Sequence, residues 1–295
     1  MEGFVIGMGE VLWDELPGGR RLGGAPANFA YHVSQFGLES RIVSAVGNDD
    51  AGRELLAELD RRGVGGCIAT VDRPTGSVTV SVDSGGQPRY DIREDVAWDS
   101  IPFTPALAGL ASQTRAVCFG SLAQRSAVSR DTVKRFLDAM PDDGEHLKVC
   151  DINLRKPFCT AEIAEESLRM CNVLKINDEE LFTLGQWLGW PAERLLAECP
   201  AIAERYGLRL LVLTCGAAGS YVFSQEESSY LETPHVTVAD TVGAGDSFTA
   251  ALVAALLKGR PLAEAHRLAV QTAAYVCTQP GAMPPLPPEL AAALR

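Results

Sequence analysis

The sequence contains no apolar run of the ~18–20 residues that a membrane-spanning helix requires. Its longest candidate, residues 250–257, is bounded by Asp246 and Lys258. Basic residues are also scarce, since 26 Lys and Arg stand against 38 Asp and Glu and give a net charge of −12. This charge argues against nucleic acid and against an anionic membrane surface as partners. It still allows an anionic small molecule, because a nest of backbone N–H groups can hold phosphate inside an acidic protein.

Several leader and binding motifs are absent as well. Residues 1–4 carry no basic segment, so we expect no signal peptide and a cytoplasmic protein. None of the eight cysteines forms a C-x-x-C pair, which argues against a zinc knuckle or a thioredoxin-type site and favours reduced, buried thiols. The absence of a G-x-x-x-x-G-K-[ST] phosphate loop excludes a Walker A site, and the absence of a G-x-G-x-x-G fingerprint disfavours a dinucleotide-dependent oxidoreductase.

What the chain does contain is an alternation of short apolar runs and helical patterns. The apolar runs predict strands at 4–7, 41–46, 116–119, 148–152, 173–176 and 210–214. The helical patterns predict helices at 27–36, 51–62, 129–140, 178–188, 192–206, 244–258 and 262–278. Most strand runs are apolar throughout, as expected when helices cover both faces of a sheet. We therefore predict an α/β fold with a doubly wound, mostly parallel sheet flanked by helices, in a single domain of residues 1–295.

One segment interrupts this order. Val78, Val80 and Val82 alternate with polar residues, a turn rich in Gly and Pro follows at 84–88, and residues 89–93 alternate again. This pattern predicts a β-hairpin of half-buried strands. We expect it to belong to a small antiparallel sheet that projects from the main domain.

The strongest chemical motif is the segment 240–248, in which Gly243, Ala244 and Gly245 open a predicted helix. Glycine allows close backbone approach, and a helix start presents free N–H groups and the positive end of the dipole. The segment therefore predicts an anion hole for phosphate or for a phosphoryl transition state. Asp246 lies beside it and is placed to accept a proton from an attacking hydroxyl. The alternative is that Asp246 only caps the helix.

Two further polar clusters directly follow predicted strands. Thr214, Gly216 and Gly219 form a turn after the strand at 210–214, which is suited to a nucleotide but is not specific to one. Asn177 and Glu180 follow the strand at 173–176. They fit either a helix cap with an acidic first turn or a pair of oxygen donors to Mg²⁺ and its waters.

A third cluster, Asn153 and Arg155, follows the strand at 148–152 and is suited to a phosphate or a sugar oxygen. In open α/β sheets ligands bind at the carboxyl ends of the strands. Several polar clusters that share this position are therefore stronger support for a site than any one of them.

The N-terminal region carries the last cluster. Asp14 follows the first strand, and Gly23, Gly24 and Asn28 come shortly after it. The two carbonyl-bearing side chains are suited to sugar hydroxyls, and the glycine pair would let a substrate approach the backbone. The alternative is an ordinary loop and a capped helix.

Together these motifs resemble the PfkB (ribokinase-like) family of carbohydrate kinases. The resemblance is carried by Gly-Gly-Ala-Pro-Ala-Asn at 23–28, Asn-x-x-Glu at 177–180, Thr-x-Gly-x-x-Gly at 214–219 and Asp-Thr-x-Gly-Ala-Gly-Asp at 240–246. It extends over residues 4–287, and the last motif is its most specific part. The motifs Gly-Glu-x-Leu-x-Asp at 9–14 and Asp-x-Asn-x-Arg at 151–155 look most like the fructokinase branch.

The resemblance implies a role for each cluster. Asp246 matches the catalytic base, residues 243–245 the anion hole, and the turn at 214–219 the nucleotide loop. Asn177 and Glu180 match the motif that organises phosphate and Mg²⁺, with Glu180 acting through water. The sugar contacts implied are Asp14, Gly23, Gly24, Asn28, Asn153 and Arg155. The hairpin matches part of a β-sheet lid, formed by about 11–22 and 75–98, over the sugar.

Related kinases hold a monovalent cation near the segments that match Asp240, Val242 and Gly281. Pro285 stands about where ribokinases carry a hydroxyl residue, so the sequence leaves potassium activation open.

The resemblance predicts an ATP- and Mg²⁺-dependent kinase that phosphorylates a primary hydroxyl of a small sugar, with fructose as the expected substrate. The alternatives are a 2-keto-3-deoxygluconate kinase, for which Arg155 or Arg93 would bind the carboxylate, and a ribokinase. A catalytically inactive sugar-binding regulator is disfavoured because Asp246 and the glycines beside it are intact. We also expect a homodimer in which the hairpin valines of one lid pack on a second copy.

Overall fold

The computed structural model describes residues 3–16, 18–82, 88–191 and 195–294. Within this part of the chain, nine strands form a central sheet in the order β13-β12-β11-β10-β9-β8-β1-β4-β5. These strands are β1 (Phe4–Met8), β4 (Ser40–Gly47), β5 (Gly65–Val71), β8 (Thr114–Phe119), β9 (Leu147–Asp151), β10 (Val173–Asn177), β11 (Leu210–Thr214), β12 (Ser220–Ser224) and β13 (Ser228–Leu231). The strands from β5 to β11 in this order pair in parallel, whereas β12 and β13 add an antiparallel edge.

Helices cover both faces of this sheet. They are α1 (Ala25–Gln35), α2 (Asp50–Arg61), α3 (Pro105–Ala111), α4 (Ala127–Ala139), α5 (Ala161–Met170), α6 (Asp178–Leu188), α7 (Leu195–Tyr206), α8 (Ala244–Leu257), α9 (Leu262–Cys277) and α10 (Pro288–Ala291). Neighbouring residues of β1 show the two faces, because Val5 packs with α1, α8 and α9 while Ile6 packs with α3 to α7. Burial on both faces explains the continuous apolar runs of the strands.

The predicted fold class is confirmed. Each predicted strand and helix occurs with its ends moved by one or two residues at most, except that the first three residues of the helix predicted at 192–206 lie outside the described residues. The patterns missed β2, β3, β5, β12, β13, α3, α5 and α10. Strand β5 begins with two glycines and is half exposed at the edge of the sheet, so it lacks a buried apolar run. Its Cys67 is exposed, contrary to the expectation of buried cysteines.

A second, small sheet has the strand order β3-β2-β6-β7. Its strands are β2 (Leu12–Leu16), β3 (Gly19–Gly23), β6 (Ser77–Val82) and β7 (Pro88–Ile92). Strands β6 and β7 form the predicted antiparallel hairpin, whose turn lies mostly outside the described residues. The pairing of β2 with β6 is parallel, however, because the chain crosses through α1, β4, α2 and β5 before it returns to this sheet.

The small sheet rests on the main body at its base. Trp13 of β2 donates from its Nε1 to the carbonyl oxygen of Ala51 in α2 at 3.0 Å, and Val78 of β6 is buried. Asp14 pairs with Val78 across the two strands, so both side chains lie on the same face of the sheet. None of the helices in the described part of the chain has the length and apolar composition needed to cross a membrane.

Candidate active site

Helix α8 begins at a backbone turn that only glycine can adopt without strain. Gly243 has a φ of 79°, and a Cβ there would lie 2.7 Å from the backbone of Ala282. Helix α8 then starts at Ala244, and residues 247–255 are all buried in the core. The first N–H groups of a helix have no intrahelical acceptor. The predicted anion hole at Gly243, Ala244 and Gly245 is therefore a rigid helix start held by a buried helix.

Asp246 lies in the first turn of α8, as predicted. The Nδ2 of Asn28, from α1, donates a hydrogen bond to its Oδ2 at 2.7 Å. Burial raises the pKa of Asp246 to about 6, with a smaller contribution from the negative charge of Asp151. The carboxylate form still predominates at neutral pH, so Asp246 can accept a proton.

A buried lysine lies directly beside this helix start. A Cβ built on Gly245 would lie 3.0 Å from Nζ of Lys175, which comes from β10. Lys175 Nζ donates to Asp151 Oδ1 at 3.1 Å, and Thr249 Oγ1 donates to the other carboxylate oxygen at 3.3 Å. Burial lowers the pKa of Lys175, but the nearby carboxylates, first that of Asp151, outweigh it and the pKa is raised. The ammonium therefore stays charged beside the predicted anion hole, in an ion pair with Asp151.

Asn177 and Glu180 form a reciprocal cap at the start of α6. Asn177 Oδ1 accepts from the N–H of Glu180 at 2.8 Å, and Glu180 Oε2 accepts from the N–H of Asn177 at 2.9 Å. Glu180 Oε1 also accepts from the N–H of Leu154 at 2.9 Å, which ties the loop after β9 to α6. Because both oxygens bind backbone N–H groups, the cap interpretation is satisfied and Glu180 fits a metal only through water.

The described residues contain no group of three or more His, Cys, Asp or Glu side chains arranged to hold a metal. Mg²⁺ in phosphoryl-transfer sites is usually held by substrate phosphates, waters and one or two carboxylates. Asp151 and Glu180, which both act electrostatically on Lys175, are the carboxylates available for that arrangement. The residues therefore fit a nucleotide-bound Mg²⁺.

Thr214 is the last residue of β11, and Gly216 and Gly219 lie in the turn that follows it. The two glycines have φ values of 52° and 117°, and a Cβ on Gly219 would lie 2.5 Å from the carbonyl oxygen of Leu231. The N–H of Cys215 donates to the carbonyl of Gly219 at 2.9 Å and closes the turn. Since β10 and β11 are neighbours in register, with Asn177 paired to Thr214, this turn and the α6 cap lie side by side.

Asp14 lies on β2 of the small sheet, where its cross-strand partner is Arg21 of β3. A Cβ on Gly23, two residues further along β3, would collide with Asp14 Oδ2, so a glycine there leaves room for this carboxylate. Gly24 is equally constrained, because its φ is 110° and a Cβ would lie 2.4 Å from the carbonyl of Glu10. Burial raises the pKa of Asp14 to about 6, while the charges of Arg155 and Arg21 oppose the shift.

Arg155 lies in the loop after β9, in which Asn153 adopts the left-handed region at a φ of 41°. Its charge lowers the pKa of Asp14, Glu10 and Asp246 against the raising effect of burial. Arg155 therefore lies near enough to Asp14, Glu10 and Asp246 to act electrostatically on all three carboxyls.

Asp240 connects the three segments predicted to hold a monovalent cation. Its Oδ1 accepts from the N–H of Val242 at 3.0 Å, and its Oδ2 accepts from the N–H of Gly281 at 3.1 Å. Nη1 of Arg21, from β3 of the small sheet, lies 3.8 Å from the same Oδ2. A positive charge is therefore already present beside Asp240, and a cation here would have to rest on backbone carbonyls.

The sequence profile of the pfkB family carbohydrate kinases matches residues 17–289. The chain belongs to the pfkB family. A fructokinase of Salmonella typhimurium is 30% identical over 299 residues, which cover 95% of this chain and 95% of that protein. The solved structure of an uncharacterized sugar kinase, PH1459 from Pyrococcus horikoshii, is 28% identical, with a TM-score of 0.80 over 95% of this chain and 93% of the other.

A double mutant of fructokinase from Vibrio cholerae O395, solved with fructose, ADP and potassium ion bound, gives a TM-score of 0.81 at 23% identity and covers 99% of this chain and 98% of the other. At this identity the likeness shows the shared ribokinase-like fold alone.

Three buried charged residues at the candidate site, in the described part of this pfkB family member, were not predicted as site residues, namely Lys175, its partner Asp151, and Glu10. Lys175 interrupts the apolar run of β10, and a lysine inside a buried strand is a signal that the sequence offered. Glu10 follows β1 and is only 3% exposed. Its Oε2 has no hydrogen-bond partner among the described residues, and burial raises its pKa to about 7. Its position at a strand's carboxyl end was the available signal.

Proposed function

We propose that the chain is an ATP-dependent kinase that transfers the γ-phosphoryl group to a primary hydroxyl of a small sugar, with fructose as the substrate. The observation that carries this proposal is the position of Asp246. Asp246 lies in the first turn of α8, and its carboxylate accepts a hydrogen bond from Asn28. In this proposal the N–H groups at the start of α8, together with Lys175, form the anion hole. A base beside a concentration of positive potential is what phosphoryl transfer to a hydroxyl requires.

In this proposal Asp246 accepts the proton of the attacking hydroxyl. The start of α8 and the Lys175 ammonium stabilise the charge on the transferring phosphoryl group, and Asn28 holds the base in position. When bound, Mg²⁺ neutralises charge on the nucleotide phosphates. The small sheet acts as a lid that excludes water from the sugar, so that water does not compete as the acceptor.

The nucleotide is proposed to bind along the turn formed by Thr214, Gly216 and Gly219, next to the α6 cap. The turn follows β11, whereas Lys175 lies on the neighbouring β10, between that turn and β1 in the order of the sheet. The chain that leaves β1 carries Asp14, so nucleotide and sugar would approach Asp246 from opposite sides. The Salmonella typhimurium relative named fructokinase supports fructose as the acceptor.

A coupled assay with Mg²⁺ and ATP over fructose, ribose and 2-keto-3-deoxygluconate tests the substrate. We expect the highest kcat/KM with fructose. A preference for the keto acid would favour pairing of its carboxylate with Arg155. Sugar binding without any phosphorylated product would contradict the kinase proposal and support a binding regulator.

The variant Asp14→Ala tests the sugar pocket. Loss of a hydrogen bond to a charged group should raise the sugar KM about 10- to 100-fold, with little change in the ATP KM. Glu15→Ala, at the next and exposed position of β2, is the matched control and should change neither constant. Equal effects of Asp14→Ala on both constants would place Asp14 outside the sugar pocket.

A further inference from the structure

Helix α1 carries three polar side chains along one face. Asn28, His32 and Gln35 are spaced by four and three residues, so they lie on the same side of the helix. Asn28 donates to the carboxylate of Asp246, the proposed base. His32 is completely buried, and Gln35 is half-buried at the last residue of α1. The partners of His32 and Gln35 lie in the chain that follows α9.

These two side chains hold residues 281–286, a segment of irregular backbone between α9 and α10. Nε2 of His32 donates to the carbonyl oxygen of Ala282 at 2.9 Å. Oε1 of Gln35 accepts from the N–H of Leu286 at 2.6 Å. Buried backbone groups that lie outside helices and strands need such partners. The path of this segment therefore depends on His32 and Gln35.

The His32 ring acts as a neutral hydrogen-bond donor. A carbonyl oxygen only accepts hydrogen bonds, so the proton of the ring is on Nε2. Burial lowers the pKa of His32 to about 4, and the hydrogen bond to Ala282 opposes this shift only in part. Nδ1 is therefore unprotonated near pH 7 and can accept from Nε2 of Gln35, which lies 3.4 Å away. Gln35 thus helps to orient the ring that holds Ala282.

The carbonyl that His32 holds lies directly beside the start of α8. A Cβ built on Gly243 would lie 2.7 Å from the Ala282 carbonyl oxygen and 2.7 Å from the Cα of Ala282. Gly243 is the last residue before α8, and its backbone angles direct the N–H groups of Ala244 and Gly245. Ala282 therefore bounds the backbone turn that forms the proposed anion hole, and His32 fixes Ala282.

We propose that His32 is a positioning residue for phosphoryl transfer, and that it sets the start of α8 through Ala282 and Gly243. The inference rests on the proposed function, because the anion hole is the site that His32 positions. Without the donor, the Ala282 carbonyl would be buried without a partner, which is unfavourable and would shift residues 281–286. Because that carbonyl fills the space beside Gly243, the first N–H groups of α8 would shift as well.

Steady-state kinetics of His32→Phe tests the effect on turnover. This change keeps a ring and removes the donor. We expect kcat to fall about 10- to 100-fold, the usual result of a small misplacement of groups that stabilise a transition state. The sugar KM should stay within about threefold, since the sugar contacts of β2 are untouched. His32→Gln restores an N–H donor and should recover kcat to within about threefold of the parent protein.

Ser40→Ala is the matched control for the loss of a buried hydrogen bond. Ser40 Oγ also donates to a carbonyl of α1, that of Ala30, at 2.7 Å. Ser40 is the first residue of β4, so this bond lies at the end of the sheet away from the proposed site. Ser40→Ala should keep the parental kcat. A loss of kcat in Ser40→Ala equal to that in His32→Phe would overturn the proposal, because a loss of stability would then explain both.

Hydrogen exchange of backbone amides separates this proposal from the kinase proposal. We expect peptides that cover residues 243–247 and 281–286 to exchange faster in His32→Phe, and at the parental rate in His32→Gln and Ser40→Ala. Gln35→Met, at a half-buried position, should change kcat and exchange in the same direction by a smaller factor. If the parent protein phosphorylates no sugar, the proposed function fails, and the exchange rates alone decide whether His32 holds the start of α8. Parental kcat and exchange in each of His32→Phe and Gln35→Met that folds would overturn the proposal.

Discussion

Two buried carboxyl groups of the candidate site have higher pKa values than exposed carboxyl groups because the fold removes them from water. Glu10 and Asp246 lie at the ends of β1 and at the start of α8, and burial is the largest cause of the raised pKa of each. Burial raises the pKa of Glu10 to about 7 and that of Asp246 to about 6.

Asp246→Asn keeps the shape of the side chain and removes its ability to accept a proton. We expect a fall in kcat of about 10²- to 10⁴-fold, the usual contribution of a general base, with an unchanged circular dichroism spectrum. The exposed Asp60→Asn in the last turn of α2 is the control. Near-normal turnover in Asp246→Asn would refute the assignment of the base and leave Asp246 as a helix cap.

The pH profile of kcat/KM follows from the same group. A base must be deprotonated to act, and the pKa of Asp246 is raised to about 6. We therefore expect activity to decline as the pH falls through about 6, in the free enzyme. A profile that stays flat to pH 5 would contradict Asp246 as the titrating base.

Glu10→Gln should stabilise the protein at alkaline pH. The pKa of Glu10 is about 7 in the folded state and 4.5 in the unfolded state, so folding favours the protonated carboxyl. Its contribution to the free energy of unfolding is lost as the pH rises from about 4.5 to about 7. The loss approaches about 3 kcal/mol, since one pKa unit corresponds to about 1.4 kcal/mol.

Urea denaturation at pH 5 and pH 8 measures this effect. We expect Glu10→Gln to exceed the parent protein in stability at pH 8 and to differ little at pH 5. The exposed Glu15→Gln serves as the control. A variant that is less stable than the parent at pH 8 would show that the Glu10 charge is compensated by contacts other than those described.

Gly243 and Gly245 look equivalent in the motif at the start of α8, but the structure constrains them differently. A side chain on Gly243 would collide with the backbone of Ala282, whereas one on Gly245 would meet only the end of the flexible Lys175 side chain. Gly245→Val should therefore fold, displace the lysine and lose turnover. Gly109→Val in α3, where a Cβ meets nothing within 4 Å, is the matched control. Global unfolding of Gly245→Val would indicate that this glycine serves the turn and not the anion hole.

The strands and helices that the sequence predicted are those whose pattern is visible within a short stretch of residues. Buried parallel strands such as β10 and β11 are apolar throughout, and α8 follows a glycine motif, so both are visible in the sequence. Strands β2 and β3 are short and half exposed, and their pairing with β6 depends on a crossover. The contact between Lys175 and the α8 start joins residues about 70 apart, a distance that no local pattern encodes.

At the scale of the whole molecule, Arg21 and Asp240 connect the small sheet to the loop before α8. Arg21→Gln would leave Asp240 without a side-chain cation, and we expect potassium chloride to raise the melting temperature of this variant more than sodium chloride does. Arg20→Gln, the neighbouring residue of β3, which pairs with Glu54, is the control. An identical response of both variants to the two salts would show that Arg21 does not compete with potassium.

We expect two copies of the chain to assemble through the small sheet. The base of this sheet is fixed to its own domain by Trp13 and Val78, but β3 and β7 are its edges, and a small sheet gains stability from a further surface. A second copy related by a two-fold axis supplies such a surface.

Light scattering at micromolar concentration should give about 63 kDa, twice the chain mass of 31.5 kDa. Val80→Asp, chosen from the valine alternation in the sequence, should halve this mass, while the exposed neighbour Thr79→Asp should not. A monomeric parent protein, or a dimer that survives Val80→Asp, would show that the sheet serves only its own subunit.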